Sequence, residues 1–382
     1  MGKKQNKNRK KVVDKNKKKK NEKDKDKNEN PIFLPYNKIT SIKSSHQQTL
    51  NFCFISKTNN YIITCSSTCI LLLDKNTFKE LTKYNMTRVP QNLIELSDNR
   101  ILCVNRVEIF IFEVNNNKLN LLYYYEEQNY EEMGLIGAGE IKNGNILVII
   151  PTCIKYYKKS KDKILELYDL FKFEDIFEIS YCDYGTQFKN AFIINNNNDY
   201  IALLTSQELN IINHQKKNLV KKINIENTRV LLKYLNLTNE NTLIYHTKKM
   251  LLFNNKNLEV INNFLLDKEK EITSIEKLKT NNLLAYGTNV GKIFIYDYLQ
   301  AKNIREISFD NQIFKIFWIK ELDNNLIVNY LPKSKISFTD YTTGIKYGEL
   351  NLINSLNYRR GVYLDESKKL LLGCAKSFVL IE

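Results

Sequence analysis

The chain is poor in the residues that usually mark a reactive or membrane-bound protein. It has one tryptophan, three histidines, five prolines and twelve glycines in 382 residues. No apolar run approaches the roughly 18 residues that a membrane-spanning helix needs. The first residues lack the apolar stretch of a secretory leader and are as polar as any part of the chain. His46, His214 and His246 stand in separate segments, with no spacing that would set two of them on one metal ion. The seven cysteines are odd in number. Cys65 and Cys69 form a CxxxC with no second ligand pair nearby, which argues against zinc. Cys53, Cys65, Cys103, Cys153 and Cys374 fall in apolar runs and read as small core residues of a reducing, intracellular compartment, nucleus or cytoplasm. The Asn-x-Thr sequons at Asn85 and Asn236 then have no use. No catalytic residue, metal or cofactor is expected, and the chain reads as a non-enzyme, although a Ser-His-Asp or Cys-His arrangement assembled in space stays open at this stage.

One stretch invites a different reading. GLIGAGEIKNGN (134–145) places glycines at 134, 137 and 139, like the turn of a dinucleotide-binding unit. That fingerprint needs its third glycine at 142, where Lys142 stands, and a helix whose free N–H groups receive the pyrophosphate. Here NGN and then ILVII follow, a tight turn feeding a strand.

The same pattern of apolar strand, Asn/Asp/Lys turn and apolar strand returns along the chain. It appears in ISKTNNYIITC (55–65), LIELSDNRILCV (93–104), GEIKNGNILVII (139–150) and FIINNNNDYIALL (192–204), and four more times to YLDESKKLLLG (363–373). The second residue of the later strand falls at Ile62, Ile101, Ile146, Ile201, Leu243, Leu283, Leu326 and Leu370, with steps of 39, 45, 55, 42, 40, 43 and 44. A period of about 40–45 residues is that of a propeller blade. A third strand follows in each unit, as in CILLLD (69–74), KIFIYD (292–297) and SFVLIE (377–382), then a more alternating fourth, as in NLVKKINI (218–225). With no helical period in this region, the fold class is all-β. The expected architecture is a single propeller of about eight, alternatively seven, four-stranded blades spanning 31–382. The long step places an insertion at about 168–188. The eighth unit ends at Glu382 after its third strand, while KITSI (38–42) precedes the first unit without a partner. An open sheet edge leaves its N–H and C=O groups unpaired, so KITSI is expected to close the ring.

At the third strands, and best in LLAYGTNVGKIFIYDY (283–298) with its ending Tyr296–Asp297, the chain resembles the WD40-repeat family. The resemblance spans about residue 38 to the end. It departs from the family in having no Gly-His pair, in Val290 where the turn Asp is usual, and in placing Trp318 on a first strand. Side-chain networks locking the blades are therefore expected to be missing. The resemblance implies a scaffold that contacts protein partners through the loops between blades and between second and third strands. Arg88, Arg229, Lys248, Arg359 and Arg360 fall in those loops, so this face is expected to be basic. Tyr358–Gly361 (YRRG) also resembles the paired-arginine motif of a phosphoinositide-binding propeller family, but it abuts the strand VYLD in the last unit, where that family has a longer spacer in a middle blade.

Charge is unevenly spread. The first thirty residues hold 14 of the 58 Lys/Arg and 5 of the 42 Asp/Glu, a net +9 of the chain's +16. With only Val12 and Val13 to bury, this tail reads as disordered. Its clusters, Arg9-Lys10-Lys11 and Lys17-Lys18-Lys19-Lys20, have the spacing of a bipartite nuclear import signal and suit RNA or another acidic partner. Drift toward Lys and Asn in an AT-rich genome gives the same composition, Asn alone reaching 51 residues. The functional classes are then a protein-interaction scaffold, expected to be a monomeric ring within a complex, an RNA-binding or ribosome-assembly subunit, or, with less support, a lipid-binding propeller. Deleting residues 1–30 is expected to leave the melting temperature within a degree or two, since about 0.5 kcal/mol or less is at stake in an unpacked segment. A fall of several degrees in a thermal scan contradicts the tail's independence.

Overall fold

A computed structural model describes residues 36, 38–48, 50–58, 60–127, 135–141, 143–175, 190–194, 199–205, 207–225, 233–267, 270–280, 282–309, 315–323, 325–331, 335–352, 360–374 and 376–382. The tail, most of the expected insertion, Arg229 and Arg359 lie outside these residues. Among those described, strands β1 to β32 form eight antiparallel four-stranded sheets, and the only helix is a single 3-10 turn at Phe173–Asp175.

The first strands of the blades line the axis, and neighbouring ones meet at blade junctions such as that between blades six and seven and that between blades eight and one. They are β2 (Phe52–Ile55), β6 (Asn92–Glu95), β10 (Gly137–Glu140), β14 (Asn190–Ile193), β18 (Lys233–Asn236), β22 (Ile272–Lys277), β26 (Trp318–Glu321) and β30 (Arg360–Leu364). Each sheet runs outward in chain order, as in blade one, where β2 is followed by β3 (Tyr61–Cys65), β4 (Cys69–Asp74) and β5 (Glu80–Asn85). Second and third strands are buried on both faces and read as continuous apolar runs; the fourth alternate, β17 (Asn218–Asn224) showing exposed and half-buried residues in turn.

The core is not inside any blade but between blades. Eight apolar clusters fill the eight junctions, and one of them joins Val362, Leu371 and Phe378 of blade eight to Ile62, Leu71 and Leu73 of blade one. The ring is therefore closed by packing as well as by hydrogen bonds. In blade eight, β30, β31 (Lys369–Cys374) and β32 (Ser377–Ile381) supply three strands, and β1 (Ile39–Lys43) pairs with β32 in the register Ile39↔Ile381 to Lys43↔Ser377. KITSI is the outer strand of the last blade. Tyr36, just before it, is buried in the junction between blades seven and eight, stacked on Phe338 at 5.2 Å and donating its hydroxyl to the Tyr363 hydroxyl at 3.1 Å.

Two local devices repeat. In the turn from third to fourth strand, an Asp or Asn accepts the next free N–H groups. Asp74 Oδ1 takes Asn76 N at 3.1 Å and Thr77 N at 2.7 Å, Asp297 takes Leu299 and Gln300 at 2.9 Å, and Asp340 takes Thr342 and Thr343. The fifth residue of each turn sits at positive φ: Phe78, Leu258, Ala301 and Gly344. A one-residue bulge accompanies the turn in all seven blades whose fourth strand is reached this way, and β1, reached from the other end of the chain, pairs without one.

The glycines of GAGE serve close packing. A Cβ on Gly137 meets the Ala191 carbonyl oxygen at 2.8 Å, and one on Gly139 meets Ile193 Cδ1 at 2.5 Å, both on β14 of the next blade. The residues expected to open the insertion, 168–172, belong to β13 (Leu165–Lys172), the outer strand of blade three. Removing residues 1–43 rather than 1–30 takes away β1 and bares the β32 edge. The expected outcome is a loss of cooperative melting and concentration-dependent aggregation in light scattering. An intact transition at unchanged temperature contradicts closure by β1.

Candidate interaction surface

The antiparallel order sends all blade-to-blade connections and all turns between second and third strands to one end of the ring, here the loop face. Side chains brace these turns. Ser66 Oγ, Asn105 Oδ1, Thr205 Oγ1 and His246 Nδ1 each begin such a turn and accept an N–H from two or three residues on, as in Glu108 N to Asn105 at 2.7 Å and Lys248 N to His246 at 3.1 Å. In blade six Thr288 Oγ1 accepts Lys292 N at 3.2 Å across the turn, and Asn289, before Val290, instead ties the turn to the blade connection, its Oδ1 accepting Glu271 N at 2.8 Å.

The expectation that blade-locking networks are missing is corrected by His46. It lies on the connection from β1 to β2, fully buried, with Nε2 at 2.9 Å from Thr64 Oγ1, Nδ1 at 2.9 Å from Ser66 Oγ and Cys69 Sγ 3.2 Å from Nδ1. One histidine thus ties the closing strand's connection to the second strand, the turn and the third strand of blade one. Blade two has a second network: Glu108 accepts from Thr87 at 2.9 Å, from Asn105 at 2.5 Å and from Tyr124 at 3.3 Å. Sequence reasoning missed both because neither uses the family's Gly-His pair; the signal was a polar residue at each turn's first position.

The Ser66–His46 contact has the geometry of a nucleophile and base, but both side chains are fully buried. Burial also pushes Cys53 and Cys103 up to about 12 and Cys65 higher still, so these are protonated thiols. His214 is buried in blade four and His246 in blade five, so the three histidines are not brought together. Among the described residues no three His, Cys, Asp or Glu side chains form a metal-holding group. No helix there is long and apolar enough to cross a membrane.

Of the arginines and lysines expected on the loop face, Arg88 is half-buried on the connection from blade one to blade two. Lys248 lies in the β19–β20 turn, between Asn241–Tyr245 and Lys249–Asn254, and its Nζ reaches Lys270 O at 3.1 Å and Glu271 at 3.7 Å. Arg360 is the first residue of β30 rather than a loop residue; it is exposed, with Nε donating to Asn51 O at 3.1 Å across the closing junction. A narrow cleft opens between blades two and three, where Lys155 and Glu127 neutralise each other at 2.6 Å.

The opposite face carries its own ties between blades. Glutamates ending an inner strand cap the turn of the preceding blade: Glu95 Oε2 accepts Lys57 N at 2.7 Å, Glu140 accepts Ser97 N at 2.9 Å, and Glu321 accepts Lys279 N. Burial raises Glu95 and Glu321. It acts on Glu140 too, but the Ser97 hydrogen bonds and Lys159 outweigh it and leave that carboxyl lowered.

Burial holds His46 near 4, with Glu80 pulling weakly the other way. The folded state prefers the neutral ring, so its contribution is full above the unfolded value of about 6.5 and is lost as pH falls through 4, at most about 3 kcal/mol. His46→Gln is expected to be less stable than the parent in urea at neutral pH, with the gap narrowing toward pH 4 as the parent's histidine is forced to charge. A gap independent of pH contradicts a buried neutral His46.

No known family profile matches the sequence, and no curated protein sequence matches it. Solved structures do. The crystal structure of Saccharomyces cerevisiae Sqt1 superposes with a TM-score of 0.67 at 11% identity, over 90% of this chain and 99% of that one. A computationally designed protein, Ika8, gives a TM-score of 0.62 at 11% identity, over 89% and 98%. At such identities the likeness is one of fold alone, and the fold of this chain is a β-propeller of eight four-stranded blades.

Proposed function

We propose that this protein is a non-catalytic scaffold that holds other proteins on its loop face within a larger intracellular complex. The observation that carries this reading is the bracing of the loop face. Turns fixed by Ser66, Asn105, Thr205 and His246 present a preformed rim, so a partner binds without the ring paying to order it. The reactive groups described, by contrast, are sealed in the blades, as at His46 and Cys65.

RNA binding is the second reading, favoured by the net charge of +16 and by the basic tail. Lipid binding through Arg359 and Arg360 has less behind it, because Arg360 itself begins β30, without the spacer that the paired-arginine motif has before its next strand. The test separates the first two. Arg88→Glu combined with Lys248→Glu changes two outer loops and no buried strand. Affinity capture followed by mass spectrometry is expected to lose a defined set of proteins that wild type retains, while affinity for oligo(U) falls no more than about twofold, as for two of many charges. An unchanged set of captured proteins with sharply weakened, salt-sensitive oligo(U) binding overturns the scaffold reading in favour of RNA.

A further inference from the structure

The inner strands give the axial channel an electrical direction. Their first residues, at the loop face, include Lys233 and Arg360 and no carboxylate. Their last residues, at the opposite face, include Glu95, Glu140 and Glu321 against a single lysine, Lys277. Each of those glutamates is occupied by a backbone N–H of the neighbouring blade, so that end is both acidic and closed in on itself.

Among the described residues the basic end is not occupied: Lys233 is exposed with no carboxylate beside it, Arg360 is bonded to the Asn51 carbonyl alone, and Lys315, just before β26, lies 5.9 Å over the Phe317 ring. Described carboxylates elsewhere on this face are engaged, among them Glu108 by Thr87 and Asn105, Glu127 by Lys155, Glu208 by Lys222 and Glu271 by Lys248. Blades five, seven and eight share this mouth. Lys233 is paired across the sheet with Tyr245, a Cβ on Gly361 next to Arg360 comes within 3.4 Å of Trp318 Cζ2, and the Arg360 charge is felt at the Tyr245 hydroxyl, partly offsetting the rise that burial causes there.

Phe317 adds the apolar half. It is 48% exposed, and among the described residues the tilted Tyr330 ring lies 6.0 Å away and the Lys315 ammonium 5.9 Å away. An exposed aromatic ring with an ammonium over it, at a mouth whose described cations have no paired carboxylate, complements a chain of the opposite kind: carboxylates around a bulky apolar side chain.

We propose that the loop-face mouth of the channel binds an acidic peptide segment, its carboxylates on Arg360, Lys315 and Lys233 and an apolar side chain on Phe317. The proposal rests on the scaffold reading and narrows it to a partner chemistry. RNA fits less well, because base stacking draws on several aromatic platforms in series, and among the described residues Phe317 is the one exposed ring at this mouth.

The experiment uses the full chain and a short fluorescein-labelled peptide of Asp and Glu around one Phe, with Ser-for-acid and Lys-for-acid versions as controls, read by fluorescence anisotropy. The acidic peptide is expected to bind more tightly than either control. Arg360→Glu with Lys315→Glu is expected to weaken it by about tenfold, the sum of a few exposed ion pairs. Phe317→Ser, at an exposed site that folding tolerates, is expected to weaken it about threefold and to serve if the charge variant melts early. Binding that is equal for the three peptides, or that survives both variants because it resides in the basic tail, overturns the proposal. So does oligo(U) displacing the peptide and losing affinity in the same variants. Failure here with the loop-dependent capture above intact removes the acidic segment alone and leaves the scaffold reading standing.

Discussion

The eight apolar junctions hold this molecule together, and they exist only if the last sheet meets the first. No blade buries enough alone: each sheet's inward face is covered by the next sheet around the ring. Closure therefore rests on five residues at one end of the chain lying along β32 at the other, with Tyr36 inserted beneath and His46 fastening the connection above. The β1–β32 pairing and the Tyr36–Tyr363 contact each span more than 300 residues of sequence, and their loop-closure cost falls on folding before they repay it.

The two faces of the ring follow from the same constraint. Antiparallel sheets radiating from an axis put connections at one end and hairpin turns at the other, so chemistry placed at the ends of inner strands becomes chemistry of a face. At one end the glutamates are spent on neighbouring turns and hold blades in register. At the other stand Arg360, Lys315 and Phe317, the mouth at which the proposed acidic partner would bind. Under the proposed scaffold reading, such a mouth works through a partner whose charges are arranged in answer rather than through a reactive group.

The blade architecture was legible in the sequence because its signal is periodic and local. Strand, Asn-rich turn and strand recur at 39 to 55 residues, and the missing fourth strand of the last unit pointed to KITSI. The glycine stretch resolved the same way, since NGN followed by ILVII belongs to a hairpin. Less legible was everything made of residues far apart. The His46 network joins a connection, a strand and a turn, and no spacing in sequence marks it. Arg360 looked like a loop residue beside Arg359, but pairing with Gly373 draws it into β30. Phe317 carried no signal at all. Its neighbours Ile316 and Trp318 are apolar too, and only the turn of the strand decides which of the three faces water.

The most direct measurement is native hydrogen exchange read by mass spectrometry on the intact chain. If the ring is closed by β1, amides of residues 39–43 and of 377–381 exchange together, at the slow rate of global opening, and more slowly than other exposed outer strands such as β17 and β25 (Lys302–Ser308). If 39–43 exchange like a free terminus while the blades stay protected, the first strand does not close the ring and the account is wrong at its foundation.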